Sequence, residues 1–160
     1  METLGPELQE IATEELTPSA LLCTEEGVLE ASFMQAQVRL WSPDGTLVWG
    51  RDLDDFRPIY VYTPDGMGLG RGFDTAQGSH LLRSAVGWGE GLALLQYELR
   101  TQEIPEEGDI EVIESRLVRL SDGAEQGRTR ALPLILATQG SHLFLAQSEP
   151  FPKVIAVEAS

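Results

Sequence analysis

A chain of 160 residues has room for one domain with its own core and too little for two of ordinary size. Hydrophobic residues make up 42 % of it and run along its whole length, which excludes a disordered chain. Eleven basic residues against twenty-six acidic ones give a formal net charge of −15, and without a basic patch that field excludes nucleic acid and anionic membrane surfaces as partners.

The opening METLGPELQEIATEEL is acidic, with no basic stretch ahead of an apolar one. No apolar run reaches the roughly 20 residues needed to span a bilayer, so the sequence predicts a cytoplasmic protein. Within PELQEIATEEL, Leu8, Ile11, Ala12 and Glu15 fit a helical spacing loosely; this is the best helical candidate in a chain where strands dominate. The single cysteine, Cys23, excludes an internal disulfide and every multi-cysteine metal motif. Its apolar run, SALLC, predicts a small buried side chain.

Downstream, VRLWSPDGTLVW (38–49) reads as strand, tight turn, strand. Pro43 presets φ for the first central position and Gly45 supplies the positive φ of a left-handed residue, giving a three-residue hairpin with a bulge at the glycine. With Ser42 opposite Thr46, the expected pairs are Trp41 with Leu47, Leu40 with Val48 and Arg39 with Trp49. The pattern recurs as IYVYTPDGMGLG (59–70), where Tyr62 is expected opposite Gly68 and Tyr60 opposite Gly70, each ring covering a glycine. A third turn, Ser121-Asp122-Gly123, follows a strand that puts Val118 and Leu120 on one face. The runs GLALLQYEL (91–99) and HLFLA (142–146) are apolar enough to be buried strands, and the acidic tract from Thr101 to Glu111 reads as a solvated loop joining two strands.

A second echo links Gly78-Ser79-His80-Leu81-Leu82 to Gly140-Ser141-His142-Leu143-Phe144. Residues 16–53 have the order short strand, turn at Glu25-Glu26-Gly27, strand, then hairpin, and residues 134–160 repeat it with Gln139-Gly140 as the turn. In this order, with Ser42-Pro43-Asp44-Gly45 following Gln37-Val38-Arg39-Leu40-Trp41, the segment resembles one repeat of the NHL-type six-bladed β-propellers. Residues 78–133 and 134–160 resemble such units more loosely, and 54–77 do not fit a full one. The resemblance implies an all-β fold of antiparallel β-meander sheets, propeller-like, serving as a non-enzymatic binding or interaction module. At about 40 residues per blade, 160 residues supply only three or four blades. The chain is therefore expected to be part of a longer propeller, a truncated remnant of one, or a partial ring shared between copies through exposed sheet edges.

Candidate chemistry is sparse, and nothing in the chain asks for a cofactor. His80 and His142 hold matching places in the echo and are the metal candidates, the basis of an alternative reading as a metal-assisted hydrolase or lyase; two ligands without a third also suit solvated strand starts. Asp52, Asp54 and Asp55 lack the glycine and distal glutamate of a calcium loop. The glycines from Gly66 to Phe73 precede no helix and lack the lysine of a phosphate loop. Trp41, Trp49, Tyr60 and Tyr62 crowd two neighbouring hairpins, where they serve either as an amphipathic surface for a partner or as packing between sheets.

Overall fold

Gly27 shows how tightly the first turn is made: its φ is +145°, and a Cβ there would lie 2.1 Å from the Trp41 carbonyl oxygen, so only glycine fits. The computed structural model describes residues 19–58, 60–62, 69–71, 78–101, 112–147 and 152–158. The turn joins β1 (Ser19–Cys23) to β2 (Val28–Ser32), and β3 (Gln37–Trp41) and β4 (Leu47–Asp52) complete an antiparallel sheet in chain order. Strand alternation sends Leu29, Ala31, Val38 and Leu40 to one face, where all four are buried. Leu21, Val28, Glu30, Arg39, Trp41 and Leu47 fall on the opposite face. Cys23 lies on that outer face too and is exposed, correcting the expectation of a buried thiol. In SALLC it is Ala20 and Leu22 that point inward, and alternation turns Leu21 and Cys23 out.

The hairpin at Pro43-Asp44-Gly45 forms as expected: Ser42 N–H donates to Thr46 O at 2.9 Å, Gly45 N–H to Ser42 O at 2.9 Å, and Gly45 has φ +84°. Its outer register does not follow. Trp41 pairs with Leu47, but Leu40 then pairs with Trp49 and Arg39 with Gly50, because Val48 is the extra residue of a bulge. The bulge leaves Val48 53 % exposed and turns Trp49 onto the core face, where its ring has more area to bury.

A two-stranded sheet, β5 (Tyr60–Tyr62) and β6 (Leu69–Arg71), follows. Tyr62 pairs with Leu69 and Tyr60 with Arg71, one residue beyond the expected register, so neither tyrosine sits opposite a glycine. The next meander has strands β7 (Ser79–Gly87), β8 (Leu92–Arg100), β9 (Ile113–Arg119) and β10 (Glu125–Thr129), again paired in chain order. β8 is the buried strand anticipated in GLALLQYEL, and the acidic tract connects β8 to β9, although residues 102–111 lie outside the described set. Val118 and Leu120 share a buried face. The last sheet is β11 (Ile135–Gln139), β12 (His142–Gln147) and β13 (Lys153–Glu158). HLFLA forms most of β12 but is only half-buried or exposed, because the outer face of this sheet has nothing packed against it among the described residues.

The meanders stack in chain order. The inner face of the first packs on Leu82, Ala93, Leu95, Tyr97 and Val118 of the second, whose other face offers Val86 and Leu94 to Ile135 of the third. Each fully buried leucine contributes roughly 1.5–3 kcal/mol to this packing. Their backbones approach one another at the first strands, with β7 touching both β1 and β11. The protein is all-β, with antiparallel sheets and no helix among the described residues, and so no helix there that is long and apolar enough to cross a membrane. The helical candidate PELQEIATEEL lies outside the described residues.

Candidate functional site

Two places combine polar chemistry with shape, one closed and one open. The closed one begins at Gly78, whose φ of +77° lets β7 start against Leu99 and brings His80 opposite that residue on the face toward the first sheet. The segment after β4 covers it. Phe56 stacks on the His80 ring with centroids 4.7 Å apart, Tyr97 meets both rings edge-on, and His80 N–H donates to Arg57 O at 2.8 Å. The backbone N–H of Arg57 donates in return to His80 Nδ1 at 2.9 Å. That nitrogen is therefore unprotonated, and the ring proton sits on Nε2, donating to Glu114 Oε1 at 3.2 Å.

Glu114 and Arg116 reach the same face because they are two apart on β9. Arg116 is fully buried and holds Glu114 Oε1 with Nε at 3.0 Å and Nη2 at 2.8 Å, while Arg130 takes Oε2 at 3.1 Å. Its remaining nitrogen donates to Asp54 O at 2.6 Å and approaches Glu125 at 3.4 Å. The contact of Arg116 Nη2 with His80 Nε2 at 3.2 Å sets two donors face to face, so it opposes a charged imidazole rather than forming a hydrogen bond.

Burial, helped by the charges of Arg116 and Arg57 and opposed by Glu114, pushes His80 down from 6.5 to about 4. Burial alone would push Glu114 up, but Arg130, Arg116 and His80 together hold it down at about 2. Burial also pushes the Tyr97 hydroxyl up, and that hydroxyl has no hydrogen-bond partner among the described residues. The cluster is thus a neutral histidine and a closed ion pair sealed from solvent. It pins the 53–58 segment to the second sheet, and among the described residues the polar groups of His80, Glu114 and Arg116 are taken up by one another and by the backbone of Asp54 and Arg57.

The open place lies on the other face of the second sheet. Leu94, Ser115, Leu117, Gly127 and Thr129 floor a pocket of about 260 Å³, walled by Trp88 and Leu132, with Arg128 at its edge. Beside the pocket the third sheet meets the second at β11, through Ser84 Oγ donating to Ile135 O and through Gln96. Gln96 is fully buried, donating to Ser115 Oγ and Pro133 O at 2.9 Å each and accepting from Ile135 N–H at 2.6 Å. Arg128 sends its guanidinium away to Glu125 at 2.7 Å, so the pocket is apolar apart from two hydroxyls. A Cβ on Gly127 would meet nothing within 4 Å.

The structure separates the sequence candidates. His80 is buried in the first strand of its sheet, whereas His142 is exposed at the start of the second strand of its own, opposite Glu158. Among the described residues no group of three His, Cys, Asp or Glu is placed to hold a metal, and Asp52, Asp54 and Asp55 are exposed. Trp49 spans two sheets, its Nε1 donating to Leu120 O at 2.7 Å, while Trp41 lies on the outer face of the first sheet with Nε1 on Glu30 at 2.8 Å. The side chains of Tyr60 and Tyr62 lie outside the described residues. Sequence reasoning missed Glu114, Arg116 and the pocket; the signal for the first two was a pair of opposite charges two apart inside the apolar run VIESRLVRL. Comparison with protein-family models, with curated proteins and with solved structures finds no match for this chain.

Proposed function

We infer that the chain is a non-enzymatic binding module of β-propeller-like build, and that it binds in the pocket on the face of its second sheet that is turned toward the third. The observation that carries this reading is the open apolar pocket floored by Leu94 and Leu117. Its volume of about 260 Å³ suits one aromatic or branched aliphatic group rather than an extended substrate. Ser115 and Thr129 each accept a backbone or amide N–H and keep a hydroxyl hydrogen to donate, which favours a ligand carrying an acceptor. Support for the propeller-like reading comes from consecutive meanders stacked with first strands adjacent, and from the strand-SPDG-strand hairpin of the NHL-type resemblance.

Acetophenone, an aromatic ring with one carbonyl acceptor, is a suitable probe. Titration followed by amide shifts should give a saturable response at Ser115, Leu117 and Gly127–Thr129. Gly127→Leu should abolish it by filling the space now open above that residue. Shifts scattered over the surface, or an unchanged response in the variant, would defeat the reading.

A further inference from the structure

The stack of three sheets ends in two faces that nothing covers among the described residues, and we propose that they bind each other between two copies of this chain, head to tail. Within the chain, the middle meander presents one face to the sheet before it and the other to the sheet after it. The outer face of the first sheet is the next such face in one direction, and the outer face of the third sheet is its counterpart in the other. Joining them continues between copies the packing already used within one. The contact is heterologous, and it closes if two copies complete a ring. Three stacked meanders per copy, apart from the two-stranded β5–β6 sheet, give six, within the four to eight of closed radial assemblies.

The two faces differ in a complementary way. The first sheet offers large side chains: Leu21 at 69 % exposure, Leu47 at 47 %, and Val28 and Trp41 between them. The third sheet offers a flatter surface, where Ala146 and Ala156 alternate with Phe144 and Val154, the last 59 % exposed. Projecting groups on the first face can therefore seat over the alanines of the second, between Phe144 and Val154. Charge points the same way. In a chain of net charge −15, copies repel unless they meet through surfaces with little charge. At the centre of the first face the charges are Glu30 and Arg39, 3.9 Å apart; on the second, His142 and Glu158 sit opposite each other at one end.

Area favours two contacts over one. Strands of five or six residues spaced about 4.8 Å apart give a footprint of about 300 Å² per face. One contact thus buries about 600 Å², below the size of a stable interface, whereas two reach about 1,200 Å², its lower bound. The pairing is face to face, in place of the edge-to-edge association expected from sequence. It rests on the stacking and not on the pocket, so failed acetophenone binding leaves it untouched.

The test is molar mass by light scattering at about 0.3 M salt, where exposed charges are screened. The whole chain should run at twice its monomer mass, and Leu21→Arg and Val154→Arg should each run as monomers. Mixed one to one, the two variants can make one intact contact but not the second, so the mixture too should run as monomers. A monomeric wild type, a variant that still dimerises alone, or a mixture that dimerises as fully as the wild type each overturns the proposal. Both side chains point outward, so the variants should stay folded, with unfolding midpoints lowered only by the stabilisation that dimerisation gives the wild type; if Leu21→Arg does not fold, Leu47→Arg blocks the same face.

Discussion

Acidification from pH 7.5 to 4.5 should weaken the fold through one side chain, His80. Its folded affinity for a proton is set by burial at a value of about 4, against 6.5 in the unfolded chain. Above pH 6.5 the ring is neutral in both states and its full contribution is present. Between 6.5 and 4 the unfolded chain takes up a proton that the folded protein refuses, so stability falls with pH; below 4 nothing further is lost. At about 1.4 kcal/mol per tenfold change in proton affinity, the loss reaches about 2.5 kcal/mol by pH 4.5. Glu114 then takes over: held at about 2 against an ordinary 4.5, its contribution is present above 4.5 and disappears as pH falls through 2. Discharging the carboxylates of a chain at −15 relieves self-repulsion and acts in the opposite direction, so the comparison must be differential. Urea unfolding at pH 7.5, 6.0, 5.0 and 4.5 should show this limb in the wild type. His80→Asn should be less stable throughout, having lost its stacking on Phe56, and should lack the limb between 6.5 and 4. Parallel curves for the two proteins would refute the reasoning.

Three further outcomes follow from buried contacts. Gln96→Leu should leave Ile135 N–H and Pro133 O without their partner, costing about 2–4 kcal/mol in urea unfolding and speeding hydrogen exchange across β11 and β12 before β8. Gly27→Ala forces a side chain against the Trp41 carbonyl at positive φ, and thermal unfolding should register a loss of at least about 1–3 kcal/mol. Trp49→Phe keeps most of the buried ring but orphans Leu120 O, a loss of about 1 kcal/mol, whereas Trp41→Phe should cost less because its Glu30 partner keeps access to water.

Turns and strands were legible in the sequence because their signals are local: a proline and a glycine at fixed offsets, or an alternation read over a few residues. Register was less so. Val48 became the bulged residue because Trp49 gains more from the core than Val48 does, a competition settled by the second sheet and not by the hairpin. Cys23 follows a related logic: its apolar neighbours favour burial, but the alternation within SALLC turns it outward. The His80 cluster was hidden by distance along the chain, Glu114 lying 34 residues away and Arg116 36, with only the charge pair inside β9 to hint at it. The matching of His80 with His142 lay in the sequence echo alone, because the two motifs open different strands of their sheets.

The meeting of β1, β7 and β11 also bears on how the chain folds. Each meander pairs strands that are neighbours in sequence, so its hairpins, apart from the one closed by the long tract between β8 and β9, close short loops at small entropic cost and should form early. Joining one meander to the next spans far more chain, as Trp49 to Leu120 does over 71 residues, and belongs late in the reaction. The middle meander takes part in both joinings. A lesion in β7 or β8 should therefore slow the whole of folding, while one in β13 should mainly hasten local unraveling at that end.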